Sequence, residues 1–291
     1  MSHTERNPSL PKRFSFSSAE TFESCPRKWH AKYVKKILDP AGPEAAAGSF
    51  VHSVLEEIMG KHRRERTLLS ARAAAKAAWE TFAPNFAELQ AADPDRVTEI
   101  RRKAWGDITR AFAAEDLGEV EVVGLETKLD VDMDGVPMVG FVDRIDRDWL
   151  GGVVVNDYKT GKIPAPRYKL PKERQIRLYA KGYEISTGEV PTSGRILWIG
   201  GAKKPKVWDV DVGPKHVEET VNWFRWLWES LDAAFDTDVF EEKPGPLCGW
   251  CPDLADCQSG HTAVLARMGE GKTVGPGEGV MVELGLAKIS A

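Results

Sequence analysis

The chain has 291 residues, with 40 lysines and arginines against 44 aspartates and glutamates, which gives a formal net charge of −4. A chain of this length can bury one large core or two ordinary cores without disulfide support. The net charge excludes a protein that is basic over its whole surface, although it is compatible with a local basic groove for nucleic acid. The sequence contains no run of 18 apolar residues, so we expect no transmembrane helix.

The amino-terminal segment lacks the apolar stretch of a secretory signal, and we therefore expect a cytoplasmic protein. Residues 1–14 are polar and contain Pro8 and Pro11, a composition that predicts a disordered tail. The chain has four cysteines. In a reducing compartment, four cysteines favour metal ligands or core thiols over disulfides.

Helical patterns occupy the first part of the chain, from about residue 19 to residue 116. Apolar residues at spacings of three and four, such as Phe50, Val54 and Ile58, predict amphipathic helices. The predicted helical stretches are 19–38 with a restart at Cys25-Pro26, 46–66, 68–90 and 96–115.

The pattern then changes to that of β-strands, over about residues 119–212. Leu129, Val131 and Met133 alternate with polar residues, and Asp134-Gly135 predicts a hairpin turn. The other predicted elements are strands over 136–146, 153–159, 195–199 and 207–212, and helices over 172–186 and 215–235. These elements predict one α/β (α+β) domain over 15–265, followed by a flexible glycine-rich tail over 268–291.

Two carboxylates and a lysine are predicted to meet at the end of the third strand. Asp157 and Lys159 project from one face of that strand, about 6–7 Å apart at their backbones. Counting back across the turn near Leu150 places Asp143 opposite Asp157. Converging carboxylates suit Mg²⁺ or Mn²⁺. The spacing alone fits a salt bridge at a solvated strand end equally well, but the buried apolar lead-in favours a compensating partner.

Four motifs resemble those of the RecB-type PD-(D/E)xK nucleases, and they follow one another along the chain in the same order as in that family. Gly140–Asp146 and Asp157–Lys162 resemble motifs II and III of that family. Upstream, Gly48–His52 resembles its G-x-x-x-H element, and downstream Gln175–Ala180 resembles its Q-x-x-x-Y helix. The proline of the family name is absent before Asp143, as is usual in this branch.

This resemblance implies a restriction-endonuclease-like fold with a central mixed sheet, an amino-terminal helical region and a metal-dependent deoxyribonuclease activity. The site residues that it implies are His52, Asp143, Asp157, Tyr158 through its backbone carbonyl, Lys159, Gln175 and Tyr179. A histidine ligand beside carboxylates favours Mn²⁺. Lys159 would position the nucleophile or stabilise transition-state charge, and Gln175 and Tyr179 would orient Lys159 and the nucleic acid.

Two further acidic residues lie close to these motifs in the sequence. Glu126 stands where the first strand begins, and Glu56 follows His52 by one helical turn. We expect Glu126 to be a strand-edge charge and Glu56 to be solvated, so neither belongs to the predicted ligand set.

The cysteines form a second candidate site. Cys248 and Cys251 make a C-x2-C pair, Cys257 follows, and Cys25 lies far upstream. Cysteine chemistry leaves open tetrahedral Zn²⁺, a [4Fe–4S] cluster or unrelated thiols, and from the cysteines alone zinc is the commoner occupant. A Cys-Pro near the start and C-x2-C-x5-C near the end of a nuclease resemble the iron–sulfur nucleases, namely CRISPR-associated RecB-like exonucleases and AddB-type helicase–nuclease subunits. That resemblance implies a [4Fe–4S] cluster that ties the two chain ends together.

The predicted function is therefore a DNA exonuclease that acts on single strands or DNA ends. DNA is the expected partner, together with a homo-oligomer or with proteins of repair or CRISPR adaptation, and no membrane is expected. The alternatives are a non-catalytic nucleic-acid-binding or assembly module and the nuclease subunit of a helicase–nuclease repair complex. The joint presence of Asp143, Asp157 and Lys159 argues against a site that has lost its activity.

Overall fold

The computed structural model describes residues 7–37, 42–201 and 203–287. The chain divides into two compact units, one made of Met1–Pro40 and Phe224–Ala291 and the other of Ala41–Trp223. The sequence predicted a single domain over 15–265. Residues from both chain ends pack into a core of their own, and the single domain over 15–265 stays a prediction.

After one short first strand, the described elements are six helices, three strands, one helix, two strands and three further helices, in chain order. The described helices are α1 (Phe16–Ser24), α2 (Pro26–Tyr33), α3 (Pro43–Gly60), α4 (Leu68–Phe82), α5 (Ala87–Ala92), α6 (Pro94–Ala114), α7 (Lys169–Thr187), α8 (Pro214–Thr237), α9 (Gln258–Gly269) and α10 (Gly277–Glu283). The described strands are β1 (Phe14–Ser15), β2 (Glu121–Met133), β3 (Val136–Arg147), β4 (Val153–Lys159), β5 (Ser193–Trp198) and β6 (Lys206–Val210). Among these helices, none combines the length and the hydropathy that a membrane span requires.

The Ala41–Trp223 unit contains a mixed sheet in the order β2-β3-β4-β5-β6. Strands β2, β3 and β4 pair antiparallel in sequence, β4 and β5 pair parallel, and β6 returns antiparallel to β5. Helix α7 supplies the crossover that a parallel pair needs. The predicted mixed sheet is confirmed, and the run Val153–Val155 lies in a central, buried strand as predicted.

Local chemistry explains where the helices of this unit begin and end. Asp93 caps α6, because its Oδ1 accepts the N–H of Arg96 at 3.0 Å, and Pro94 occupies the first turn. The single helix predicted over 68–90 is instead interrupted after Phe82, where Pro84 starts a short 3₁₀ turn. A proline cannot donate the hydrogen bond that a continuous helix requires there.

One face of α3 forms the core of this unit with α4 and α6. The buried side chains on that face are Phe50, Val51, Val54, Leu55, Ile58 and Met59. They pack in one cluster with Ile108 of α6 and Tyr158 of β4. The polar positions Ser49 and His52 are therefore left on another side of the helix, where they line a cleft.

The unit made of the two chain ends has its own aromatic core. Trp29 is 1% exposed and donates its indole N–H to Ser18 Oγ at 2.8 Å. Its ring stacks parallel to Phe240 at 6.3 Å between centroids. Phe14 stands 5.0 Å from Phe224 in the same unit. Of the tail predicted over 1–14, residues 1–6 lie outside the described residues, and Phe14 is fully buried.

The predicted flexible tail from residue 268 contains helix α10. Met281 of this helix is fully buried and packs with Leu254, Val264 and Val274. Two apolar side chains of the segment, Val274 and Met281, thus belong to a buried cluster, and its flexibility stays a prediction. Residues 288–291 of that prediction lie outside the described part of the chain.

Candidate active site

Three side chains from α3, β2 and β3 converge in the Ala41–Trp223 unit. His52, Glu126 and Asp143 each offer a ligand atom that lies within 4.8 Å of the other two. His52 Nδ1 is 3.5 Å from Asp143 Oδ2, and His52 and Glu126 line a cleft of about 670 Å³. An imidazole nitrogen with carboxylate oxygens is a donor set suited to Mg²⁺ or Mn²⁺. The residues present therefore fit a divalent cation.

The position of Glu126 corrects the expectation that it is a strand-edge charge. Its backbone has φ of +42° inside strand β2, a left-handed conformation that is uncommon for a side-chain-bearing residue. Leu125 packs against the core under α3, whereas Leu129, four residues later, stands next to Gly182 of α7. Regular alternation would put both leucines on one face. The left-handed backbone at Glu126 accounts for the placement of Leu125 and Leu129 on different faces of β2. It also directs the Glu126 carboxylate towards His52 and Asp143.

Asp143 and Asp157 occupy the positions that the hairpin count predicted. Arg144 pairs with Asn156 across β3 and β4, so Asp143 and Asp157 take the next register position. Asp143 Oδ2 also accepts the backbone N–H of Tyr158 at 2.7 Å. Asp157 is 3% exposed, and burial raises its pKa to about 6 although the Lys159 ammonium opposes that shift. A buried carboxylate of this kind favours a positive partner.

Lys159, Gln175 and Tyr179 form a chain of hydrogen bonds that starts at Asp157. Lys159 Nζ donates to Asp157 Oδ1 and to Gln175 Oε1, each at 3.0 Å. Gln175 Nε2 donates to Tyr179 Oη at 3.1 Å. Burial disfavours the ammonium, but Asp157 outweighs burial and raises the pKa of Lys159. Burial also raises the pKa of Tyr179 to about 12, so the phenol remains protonated. The helix α7 pair thus holds the lysine in one position.

A buried ionic network lies beside the site and was not predicted from the sequence. Arg144 is fully buried, with Nη1 2.6 Å from Glu115 Oε1 and Nε 2.9 Å from Asp146 Oδ1. It also donates to the hydroxyl of Tyr158, and Asn156 Nδ2 donates to Asp146 at 2.9 Å. The network anchors the residue that separates Asp157 from Lys159. The run Asp143–Asp146 within an apolar strand is the sequence signal for it.

The four cysteines meet in the unit formed by the chain ends. Cys25, Cys248, Cys251 and Cys257 are free thiols and line one cavity together with Arg27. The backbone N–H of Gly245 donates to Cys248 Sγ at 3.2 Å. Burial raises the pKa of the Cys251 thiol, which a bound metal would reverse by stabilising the thiolate.

Arg27 fixes the approach of the two chain ends at this cavity. Its Nε donates to Asp253 Oδ2 at 2.7 Å, and its Nη2 donates to the carbonyl of Asp256 at 2.6 Å. Its backbone N–H also donates to the carbonyl of Glu241 at 3.1 Å. Cys25 ends α1, and Pro26 begins α2 directly after it. The cysteine is therefore held by the junction of two helices.

A family model of the PD-(D/E)XK nuclease superfamily matches residues 13–258. The chain belongs to this superfamily. The superfamily predicted from the motifs is therefore confirmed, and the RecB type stays a prediction. Membership in the PD-(D/E)XK superfamily indicates a metal-dependent nuclease. The His52, Glu126 and Asp143 donor set agrees with that chemistry.

Among curated proteins, no match to the chain was found. The solved structure described as "Crystal structure of SSO0001" is 12% identical in sequence, with a TM-score of 0.41, and the similarity covers 87% of this chain and 89% of that chain.

Proposed function

We propose that this PD-(D/E)XK protein is a DNA exonuclease that hydrolyses phosphodiester bonds on single strands or DNA ends. The observation that carries the proposal is the position of Lys159, held between Asp157 and Gln175 at 3.0 Å from each. It stands beside the carboxylates that would hold a divalent cation. An ammonium group held in one position can stabilise negative charge on a phosphate oxygen or orient an attacking water.

The residues that would hold Mg²⁺ or Mn²⁺ are His52, Asp143 and Asp157, with Glu126 and the backbone carbonyl of Tyr158. The bound ion would lower the pKa of a water and polarise the phosphoryl oxygen. Lys159 would orient that water or stabilise negative charge on the phosphate. Gln175 would keep the ammonium in place through its Oε1. The family's use of divalent metals supports this assignment.

The test is an assay of single-stranded, duplex and circular DNA, end-labelled where the substrate has ends, with Mg²⁺ or Mn²⁺. Lys159→Ala should lower cleavage by about a hundredfold or more, since it removes a charge at the reacting phosphate. Lys162→Ala is the matched control, because Lys162 is an exposed lysine in the loop just after the same strand. Cleavage of circles would contradict an exonuclease. Binding of DNA without any cleavage would favour the non-catalytic module instead.

We also propose that Cys25, Cys248, Cys251 and Cys257 hold a [4Fe–4S] cluster with a structural role. All four cysteines line one cavity. Their arrangement, one Cys-Pro near the start and C-x2-C-x5-C near the end, resembles that of the iron–sulfur nucleases. This resemblance supports a cluster, whose ligands surround several metal atoms.

Anaerobic purification distinguishes the two occupants of the cysteine site. A cluster gives iron and sulfide in stoichiometric amounts with broad visible absorbance. A colourless protein that contains zinc would reject the cluster and leave the nuclease proposal intact, because the catalytic residues lie elsewhere in the chain.

A further inference from the structure

Phe141 is a residue of the cleft that metal chemistry does not use. Its side chain is 51% exposed, and it lines the cleft together with His52 and Glu126. The other lining residues are mostly polar or acidic, including Glu44, Ser49, Ser53 and Glu56. Exposed aromatic surface is unfavourable in water. The ring therefore has surface available to a ligand at this position.

The position of the ring relative to the metal-binding residues limits what that ligand can be. Phe141 precedes Asp143 by two residues in β3, which is about 7 Å along a strand. A phosphodiester bound at His52, Glu126 and Asp143 would therefore place its neighbouring nucleoside within reach of the ring.

The neighbours of Phe141 favour a stacking contact over an ionic one. Lys128 stands opposite Phe141 in the β2–β3 register. Its ammonium lies 2.9 Å from Asp130 Oδ2, so its charge is balanced within the strand. The group beside Phe141 that can contact a nucleotide is therefore the aromatic ring and not a free positive charge.

We infer that Phe141 forms a nucleobase subsite and stacks on an unpaired base next to the bound phosphodiester. The inference rests on the proposed function and specifies its substrate. Bases inside a duplex are already stacked on their neighbours, so the contact selects single strands and frayed ends. Stacking tolerates any base, because every base presents a π-face.

The kinetic test uses an intact single-stranded oligonucleotide and a series of variants of it. Each variant has one abasic site, at a different position in the strand. Phe141→Ala should lower kcat/KM on the intact strand by about 5- to 150-fold, chiefly through KM. The loss should disappear on the strand whose abasic position falls at the subsite. Phe141→Trp should restore activity.

Two controls separate stacking from a structural role. Trp149→Ala removes an aromatic side chain that is 90% exposed in the β3–β4 turn, and it should leave kcat/KM unchanged. The Mn²⁺ concentration for half-maximal activity should be the same in Phe141→Ala and the wild type. A loss of equal size on every abasic strand would overturn the inference, since it would mean that the ring supports the fold.

A binding experiment separates this inference from the proposed nuclease activity. A single-stranded oligonucleotide with 2-aminopurine is bound in Ca²⁺, and its fluorescence is followed. A change in fluorescence with the wild type that Phe141→Ala does not produce would support the subsite even if no cleavage occurs. An equal change with both proteins would overturn the subsite even if the protein cleaves DNA.

Discussion

At the scale of single residues, the site depends on one uncommon backbone conformation. Glu126 has a positive φ within a strand, and this turns its carboxylate towards His52 and Asp143. Burial first, and then the Asp143 carboxylate, raise the pKa of Glu126. Acidic groups held this close repel one another unless a cation lies between them. A divalent cation bound between them would relieve this repulsion.

Glu126→Gln should raise the Mn²⁺ concentration needed for half-maximal cleavage by about 10- to 100-fold, the loss typical for a group that supports a metal site. The amide keeps the size of the side chain and removes its charge. Activity is measured across a Mn²⁺ titration. Glu56→Gln is the control, because Glu56 lines the same cleft outside the close group. An equal shift in both variants would show a general effect of cleft charge.

Strand alternation predicted that Asp157 and Lys159 share one face, and counting across the turn placed Asp143 opposite Asp157. It could not predict Glu126, since alternation assumes that every strand residue keeps an extended backbone. The Gln175 and Tyr179 pair was implied by family resemblance, and the structure brings it to Lys159. Whether these residues act in catalysis stays a prediction.

At the scale of elements, strands β3 and β4 carry two groups of charged residues, one at the cleft and one buried in the core. Asp143 lies beside the cleft residues, while Arg144 is fully buried in a network with Glu115 and Asp146. Such a network contributes little net stability when it is complete, but the loss of one partner leaves unpaired buried charge. Because Tyr158 bonds to both Asp143 and Arg144, the network is connected to the active-site end of β4.

Arg144→Met should destabilise the protein by up to about 3–5 kcal/mol. Glu115 and Asp146 then lose their buried cation and keep only Arg195, at 3.6 and 3.2 Å. Urea unfolding followed by far-UV circular dichroism measures the change. Arg147→Met is a matched control on the same strand, since its pair with Glu189 at 2.6 Å is largely solvated and exposed pairs contribute little. Equal midpoints for the two variants would contradict the cost assigned to buried carboxylates that have lost a cation.

The helices show where the structure agrees with the sequence patterns and where it differs from them. The apolar spacing of α3 predicted its buried face, because a 3.6-residue period determines which side chains meet the core. The break after Phe82 needed only the recognition of Pro84. Helix α10 could not be predicted from its glycines, because its stability comes from Met281 in contact with residues distant in sequence.

At the scale of the whole molecule, the two ends of the chain form one compact unit and the middle forms the other. Cys25 comes from one end and Cys257 from the other, and they line the same cavity. A metal group bound there would join segments separated by the entire nuclease core. Since ligand binding to the folded state adds to its stability, the cluster would stabilise this unit.

Cys25→Ala should lose most of its iron and its visible absorbance, and its thermal midpoint should fall by roughly 10 °C, as expected when a structural metal group worth several kcal/mol is lost. Cys25 is the informative position, because it alone of the four cysteines lies in the amino-terminal segment. Its bond to the metal group is the one that would join the two chain ends. Limited proteolysis should then cut within 7–37 and 238–287, where the cluster no longer restrains the chain. Ser24→Ala is the neighbouring control, and it should keep the iron. A Cys25→Ala protein with full iron content and an unchanged midpoint would show that Cys25 is not a ligand and that the cysteine site does not join the chain ends.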